Sequence, residues 1–183
     1  NPFFEETEFH IRVLNADENE LNELIKNSNR LDDNYLTKYF QLFKGKLNKA
    51  IADTIIESIE KSIPNNNNNY FNDYKYYSYA SLKLISYERN KEKLTETCFL
   101  NKPILYQNPA YMDLFNQLYN NYLAYYSKTR QGKQIPYYIV KEKSLSKIKT
   151  ALSERPSLQN ETFQELIICK SLFDNFYKDD YPQ

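Results

Sequence analysis

Two glycines in 183 residues, Gly45 and Gly132, limit what this chain can build more than any other feature. Average usage is about 7%, and glycine supplies the positive backbone angles that tight hairpins and phosphate-cradling loops require. Glycine-rich phosphate loops are excluded, and a sheet made of short hairpins is disfavoured. Few turns of the β type can be built.

The clearest helix lies between Asn108 and Lys128. Asn108 is placed to cap it and Pro109 occupies the first turn, where a missing N–H costs nothing. At about 100° per residue, Tyr111, Leu114, Phe115, Leu118, Tyr122, Tyr125 and Tyr126 share one face, while Asp113, Asn116, Gln117 and Asn120 oppose it. Such a stripe is a packing surface first. With 18 tyrosines and 11 phenylalanines but no tryptophan, the core is expected to be aromatic. The tyrosine excess, alongside many Asn and Lys, matches an AT-rich coding bias.

Further helices follow the same logic. Asp17 and Glu20 form a capping-box pattern ahead of Leu21, Leu24 and Ile25. Asp33 or Asn34 is expected to cap a second helix carrying Leu36, Tyr39, Phe40 and Phe43 and ended by Gly45. Leu47, Ile51, Thr54, Ile55 and Ser58 line a third that stops before Pro64. The run Asn65 to Asn69 reads as a solvated loop or the lead-in to a cap. Tyr70 to Asn90 is helical along Phe71, Tyr74, Leu82 and Ile85, Lys93 to Leu100 is shorter, and Pro103 breaks the chain. Gly132 and Pro136 close the aromatic helix, and segments from about Tyr138 to Leu152 and Glu161 to Tyr177 flank Pro156. One strand stands apart: Phe9, Ile11 and Val13 alternate with Glu8, His10 and Arg12. The expected fold is all-α, an irregular bundle of about seven to eight helices with one short N-terminal strand, divided into a strand segment, 1–16, and a helical domain, 17–183. No internal period supports a repeat solenoid.

Charge and composition bound the function. Lys plus Arg and Asp plus Glu are 24 each, and a net charge of zero argues against a nucleic-acid footprint. Apolar runs fall short of the roughly 18–20 residues that cross a bilayer. With no signal-peptide pattern, no initiator Met and the abrupt ends Asn1-Pro2-Phe3 and Tyr181-Pro182-Gln183, the chain reads as a segment of a longer protein.

Chemistry-bearing residues are sparse. His10 is the only histidine and has no second ligand or oriented base, so it reads as a surface residue and a zinc site is nearly excluded. Cys98 and Cys169 lie too far apart for a Cys-x-x-Cys motif. Cys169 falls in step with Leu166, Phe173 and Phe176 and is expected to be a buried small hydrophobe. A Cys98–Cys169 disulfide stays open, because sequence does not show whether the sulfurs meet. Glu5-Glu6, Asp32-Asp33 and Asp179-Asp180 read as solvated acid pairs, since neighbours in a helix point apart. Ser144, Ser146 and Ser153 have no histidine partner, so covalent catalysis has no support. The cluster Tyr74, Tyr76, Tyr77 and Tyr79 spans more than one helix face. Tyr76 or Tyr79 should therefore stay partly exposed, and these two are the candidate partner-binding residues, for a protein or a sugar.

Three stretches, NPFFEETEFHIRVLNADENELNELI, NPAYMDLFNQLYNNYL and PSLQNETFQELIICKSLFDNFYKDDYPQ, resemble the helical region that precedes the thioredoxin domain in TlpA-like envelope thiol–disulfide oxidoreductases of Bacteroidetes. In that family a segment like Leu158 to Tyr177 lies shortly before the thioredoxin fold. The resemblance covers most of the chain but rests on helical packing patterns. The family's catalytic Cys-x-x-Cys has no match here, so Cys98 and Cys169 inherit no redox role. The resemblance implies a non-catalytic accessory domain without a cofactor. It would position a thioredoxin-like domain expected after Gln183, or bind that domain's client, in the periplasm or cell envelope of a bacterium, with a lipid anchor on the full-length protein. The rival expectation is a stand-alone envelope module that grips a protein or glycan. A strand followed by W-C-x-x-C beyond Gln183 separates the two.

Overall fold

Asparagine starts most of the helices. Asn48, Asn68, Asn90, Asn108 and Asn160 each accept, through the side-chain oxygen, the N–H three residues on, at 3.0–3.2 Å. Each bond satisfies one of the N–H groups a first helical turn leaves without a partner. Ser144 does the same for Lys147 at 3.4 Å. The Asn run thus ends in a cap, Asn68.

In the computed structural model, which describes residues 17, 19–42, 44, 47–63, 66–88 and 90–178, these caps open an all-α bundle. Its helices are α1 (Leu21–Leu42), α2 (Lys49–Ser62), α3 (Asn69–Ser86), α4 (Lys91–Cys98), α5 (Pro109–Tyr119), α6 (Tyr122–Tyr126), the single turn α7 (Ile135–Tyr137), α8 (Leu145–Ser153) and α9 (Glu161–Lys178). A π-helical turn, Tyr138–Glu142, follows α7, and a 3₁₀ turn, Pro156–Leu158, precedes α9. The expected strand, with His10, and the acid pairs Glu5-Glu6 and Asp179-Asp180 lie outside the described residues.

Helix α3 is the hub, packing against α1, α2, α4 and most extensively α5; α9 closes the other side against α5, α6 and α8. Between them sits an aromatic core centred on Phe99. Its ring lies 5.0 Å from Tyr111, 5.2 Å from Phe163, 6.1 Å from Tyr77 and 6.4 Å from both Phe115 and Tyr119. Several of these pairs are edge-to-face, the arrangement that sets a ring's positive edge on its neighbour's negative face. Two of the buried tyrosine hydroxyls donate to backbone carbonyls, Tyr77 to Cys98 at 3.1 Å and Tyr126 to Ala151 at 3.0 Å.

Five expectations are corrected. There is no break at Asp33, because α1 runs through it with the aspartate simply exposed. The long aromatic helix is two helices: Asn121 adopts a left-handed φ of 52° between α5 and α6. Asparagine tolerates that conformation through its short polar side chain. The turn rotates the last tyrosines, so Tyr126 is buried but Tyr125 is 66% exposed, while Tyr119, outside the expected stripe, is buried. The segment from Tyr138 to Leu152 is likewise interrupted, at Lys143, which has φ 49°. On α9 the buried face is Phe163, Gln164, Ile167, Ile168, Ser171 and Asp174, so Phe173 and Cys169 are exposed. Ile85, expected in the α3 stripe, is exposed as well.

Candidate functional site

The two tyrosines singled out in α3 reach toward different helices. Tyr76, 38% exposed, places its hydroxyl 3.1 Å from the Thr97 carbonyl on α4 and accepts from the Lys102 ammonium at 2.9 Å. The same ammonium lies 4.2 Å from the Tyr76 ring centroid. Tyr79, half-buried, donates to Glu60 on α2 at 2.6 Å, and Lys75 donates to that carboxylate at 2.9 Å. Burial pushes the pKa of both tyrosines up. For Glu60 the Tyr79 and Lys75 hydrogen bonds outweigh burial and hold the carboxyl below its usual range. Both hydroxyls therefore brace α3 against its neighbours, and the two do not form one patch.

A deeper concavity opens where α4 begins and α5 gives way to α6. It encloses about 430 Å³ and is walled by Asn90, Glu92 and Thr95 from the α4 end, Tyr119 and Asn120 from the α5 end, Tyr122 and Tyr125 from α6, and Arg155. Such a volume falls in the range of ligand clefts. Glu92 is its polar centre. One carboxylate oxygen receives Arg155 at 2.7 Å and the other receives the Ser157 hydroxyl. The Arg155 guanidinium also lies 4.9 Å from the Tyr126 ring centroid, and the Tyr126 ring stacks on Tyr122 at 5.7 Å. Thr95 spends its proton on the Lys91 carbonyl at 2.9 Å, so the 2.8 Å contact with Tyr119 has the tyrosine as donor. Burial raises the pKa of Tyr119 and Tyr122, keeping both phenols protonated at neutral pH. Arg155 is drawn above its usual value by Tyr122 and Glu92 despite the opposing effect of burial.

Glu92, Arg155 and Ser157 form a linked floor, with Lys91 also in the lining and the exposed Tyr125 ring at its edge. Its lining presents an aromatic wall, a guanidinium, an ammonium from Lys91, a carboxylate, a hydroxyl and amide groups, the mix of apolar and polar groups found in ligand clefts. Sequence reasoning missed it because Glu92 and Arg155 are far apart in the chain. The Asn120-Asn121 pair was the only local signal, as a helix stop.

The remaining candidates stay apart. Cys98 is buried in α4, where desolvation pushes its thiol pKa up, and Cys169 is exposed on α9; both are free thiols. Ser144 caps α8 and contacts Ser146 at 3.1 Å, and Ser153 donates to the Thr150 carbonyl at 2.9 Å. Asp32 is not the solvated acid expected: it is half-buried, one of its oxygens is buried without a hydrogen-bond partner, and burial with Asp33 beside it raises its pKa to about 6. Among the described residues no group of three His, Cys, Asp or Glu side chains is arranged to hold a metal ion. No family model, curated protein or solved structure matches the chain.

Proposed function

We propose that this chain is a non-catalytic recognition domain, the helical accessory part of a thioredoxin-like envelope protein, and that it holds a protein partner in the cleft between α4 and α6. The partner in this reading is the thioredoxin-like domain following in the same chain, or that domain's client, in the bacterial periplasm. The observation that carries it is the cleft itself. Its floor is locked by the Glu92–Arg155–Ser157 cluster, and Tyr125 stands exposed at the rim. Exposed tyrosines beside an arginine are the side chains that most often anchor interfaces, because they bury much area at little entropic cost.

The test uses the thioredoxin-like domain that this reading expects after Gln183, added to the purified chain in a calorimetric titration. Tyr125→Ala should weaken binding at least tenfold, and Tyr76→Phe should leave it unchanged. Equal affinities would remove the cleft from the interface, and absence of such a domain downstream would remove the accessory role. Exposure of the Tyr125 ring also favours a second reading, in which a sugar stacks on it. Quenching of tyrosine fluorescence by envelope oligosaccharides, lost in Tyr125→Ala, would favour the glycan.

A further inference from the structure

The balanced charge of the whole chain conceals a basic segment. Between residues 128 and 149 the cations are Lys128, Arg130, Lys133, Lys141, Lys143, Lys147 and Lys149, and the single acid is Glu142. Among the described residues only Lys147 and Lys149 of these seven enter ion pairs, Lys147 with Glu142 at 2.5 Å and Lys149 with Glu165 at 2.5 Å. Arg130, Lys133 and Lys147 line one shallow concavity, with Glu154 as the acid in its wall.

Exposed apolar side chains lie among these cations. Along α7 and the π turn, Ile135 is buried and Tyr138, Ile139 and Glu142 are half-buried, which leaves Lys133, Tyr137, Val140 and Lys141 outward. Tyr137 is 52% exposed, Val140 66% and, past the corner at Lys143, Leu145 50%. A polyanion such as a nucleic acid would use the cations but has little use for exposed aliphatic side chains. An anionic bilayer surface uses both: lysines meet the headgroups while Tyr, Val and Leu enter the boundary with the acyl chains. No described helix is long and apolar enough to cross a membrane, so the contact would be peripheral.

We infer that the face formed by residues 133–147 is a docking surface for an anionic phospholipid bilayer. It lies apart from the α4–α6 cleft and does not depend on the reading proposed for that site. The test is co-sedimentation of the 183-residue chain with sucrose-loaded vesicles of phosphatidylcholine alone or with 30% phosphatidylglycerol, at about 0.1 M salt, where the screening length is about 10 Å, and at about 0.5 M, where it falls well below that. Binding is expected only to the phosphatidylglycerol vesicles, with a severalfold loss at high salt. It should fall at least tenfold in Lys141→Glu/Lys143→Glu and severalfold in Val140→Ser/Leu145→Ser. All four substitutions are at exposed positions, and circular dichroism of each variant checks the fold. No binding, or equal binding to neutral vesicles, overturns the proposal. So does binding that follows the lysines but ignores Val140→Ser/Leu145→Ser; if a single-stranded oligonucleotide then competes equally well, the face is a nucleic-acid surface.

Discussion

Asp32 carries the plainest pH signature in the molecule. Its folded-state pKa of about 6 lies above the ordinary 3.8. The folded protein therefore holds a proton that the unfolded chain has released, and stability falls as pH rises through the window from about 4 to 6. Above that window the ionised, partly buried carboxylate is a standing cost. Asp32→Asn should raise stability by about 1 kcal/mol at pH 7.5, after discounting for partial exposure, and the gain should vanish below pH 4. Urea titrations of both proteins at the two pH values check this; a gain that persists at pH 3.5 would assign the effect to something other than the charge. The cysteines give a second residue-scale expectation. Cys169 is exposed and Cys98 buried with a raised pKa, and the reactive species is the thiolate. Ellman's reagent should titrate one thiol quickly in the native protein and a second only on unfolding. Insulin reduction with dithiothreitol should not exceed the blank.

Helix α5 supplies the test at the scale of elements. Phe115 is buried against Phe99, Tyr119 and Phe163, whereas Asn116 beside it is exposed. Phe115→Ala should cost about 3–5 kcal/mol through lost burial and a residual cavity, and Asn116→Ala should change stability by less than about 0.5 kcal/mol. Denaturation midpoints decide it, and equal midpoints would mean the face is misassigned. That face was legible in the sequence because periodicity and the Asn108-Pro109 start act locally, as did the stop of α2 before Pro64. The break at Asn121 was hidden because the aromatic stripe continues through it at nearly helical spacing. The continuity of α1 was hidden for the opposite reason, since Asp33 and Asn34 look like a cap but lie exposed within a longer helix. On α9 two apolar stripes competed in the sequence, and contact with α5, α6 and α8 chose the one containing Phe163 and Ile167.

The described residues form an aromatic-cored helical bundle, and its cleft exists only through tertiary contact. Glu92 at the start of α4 meets Arg155 and Ser157 in the connection between α8 and α9, a juxtaposition that no local pattern announces. The long-range fold places that floor beside Tyr122 and Tyr125, where we propose that a protein partner is recognised. Hydrogen exchange measured by mass spectrometry, with and without the thioredoxin-like domain that the proposed reading expects, is the deciding measurement. The predicted result is slowed exchange confined to residues 90–95, 118–126 and 154–158. Slowed exchange elsewhere with that cleft unchanged, for example along residues 76–83, would contradict it.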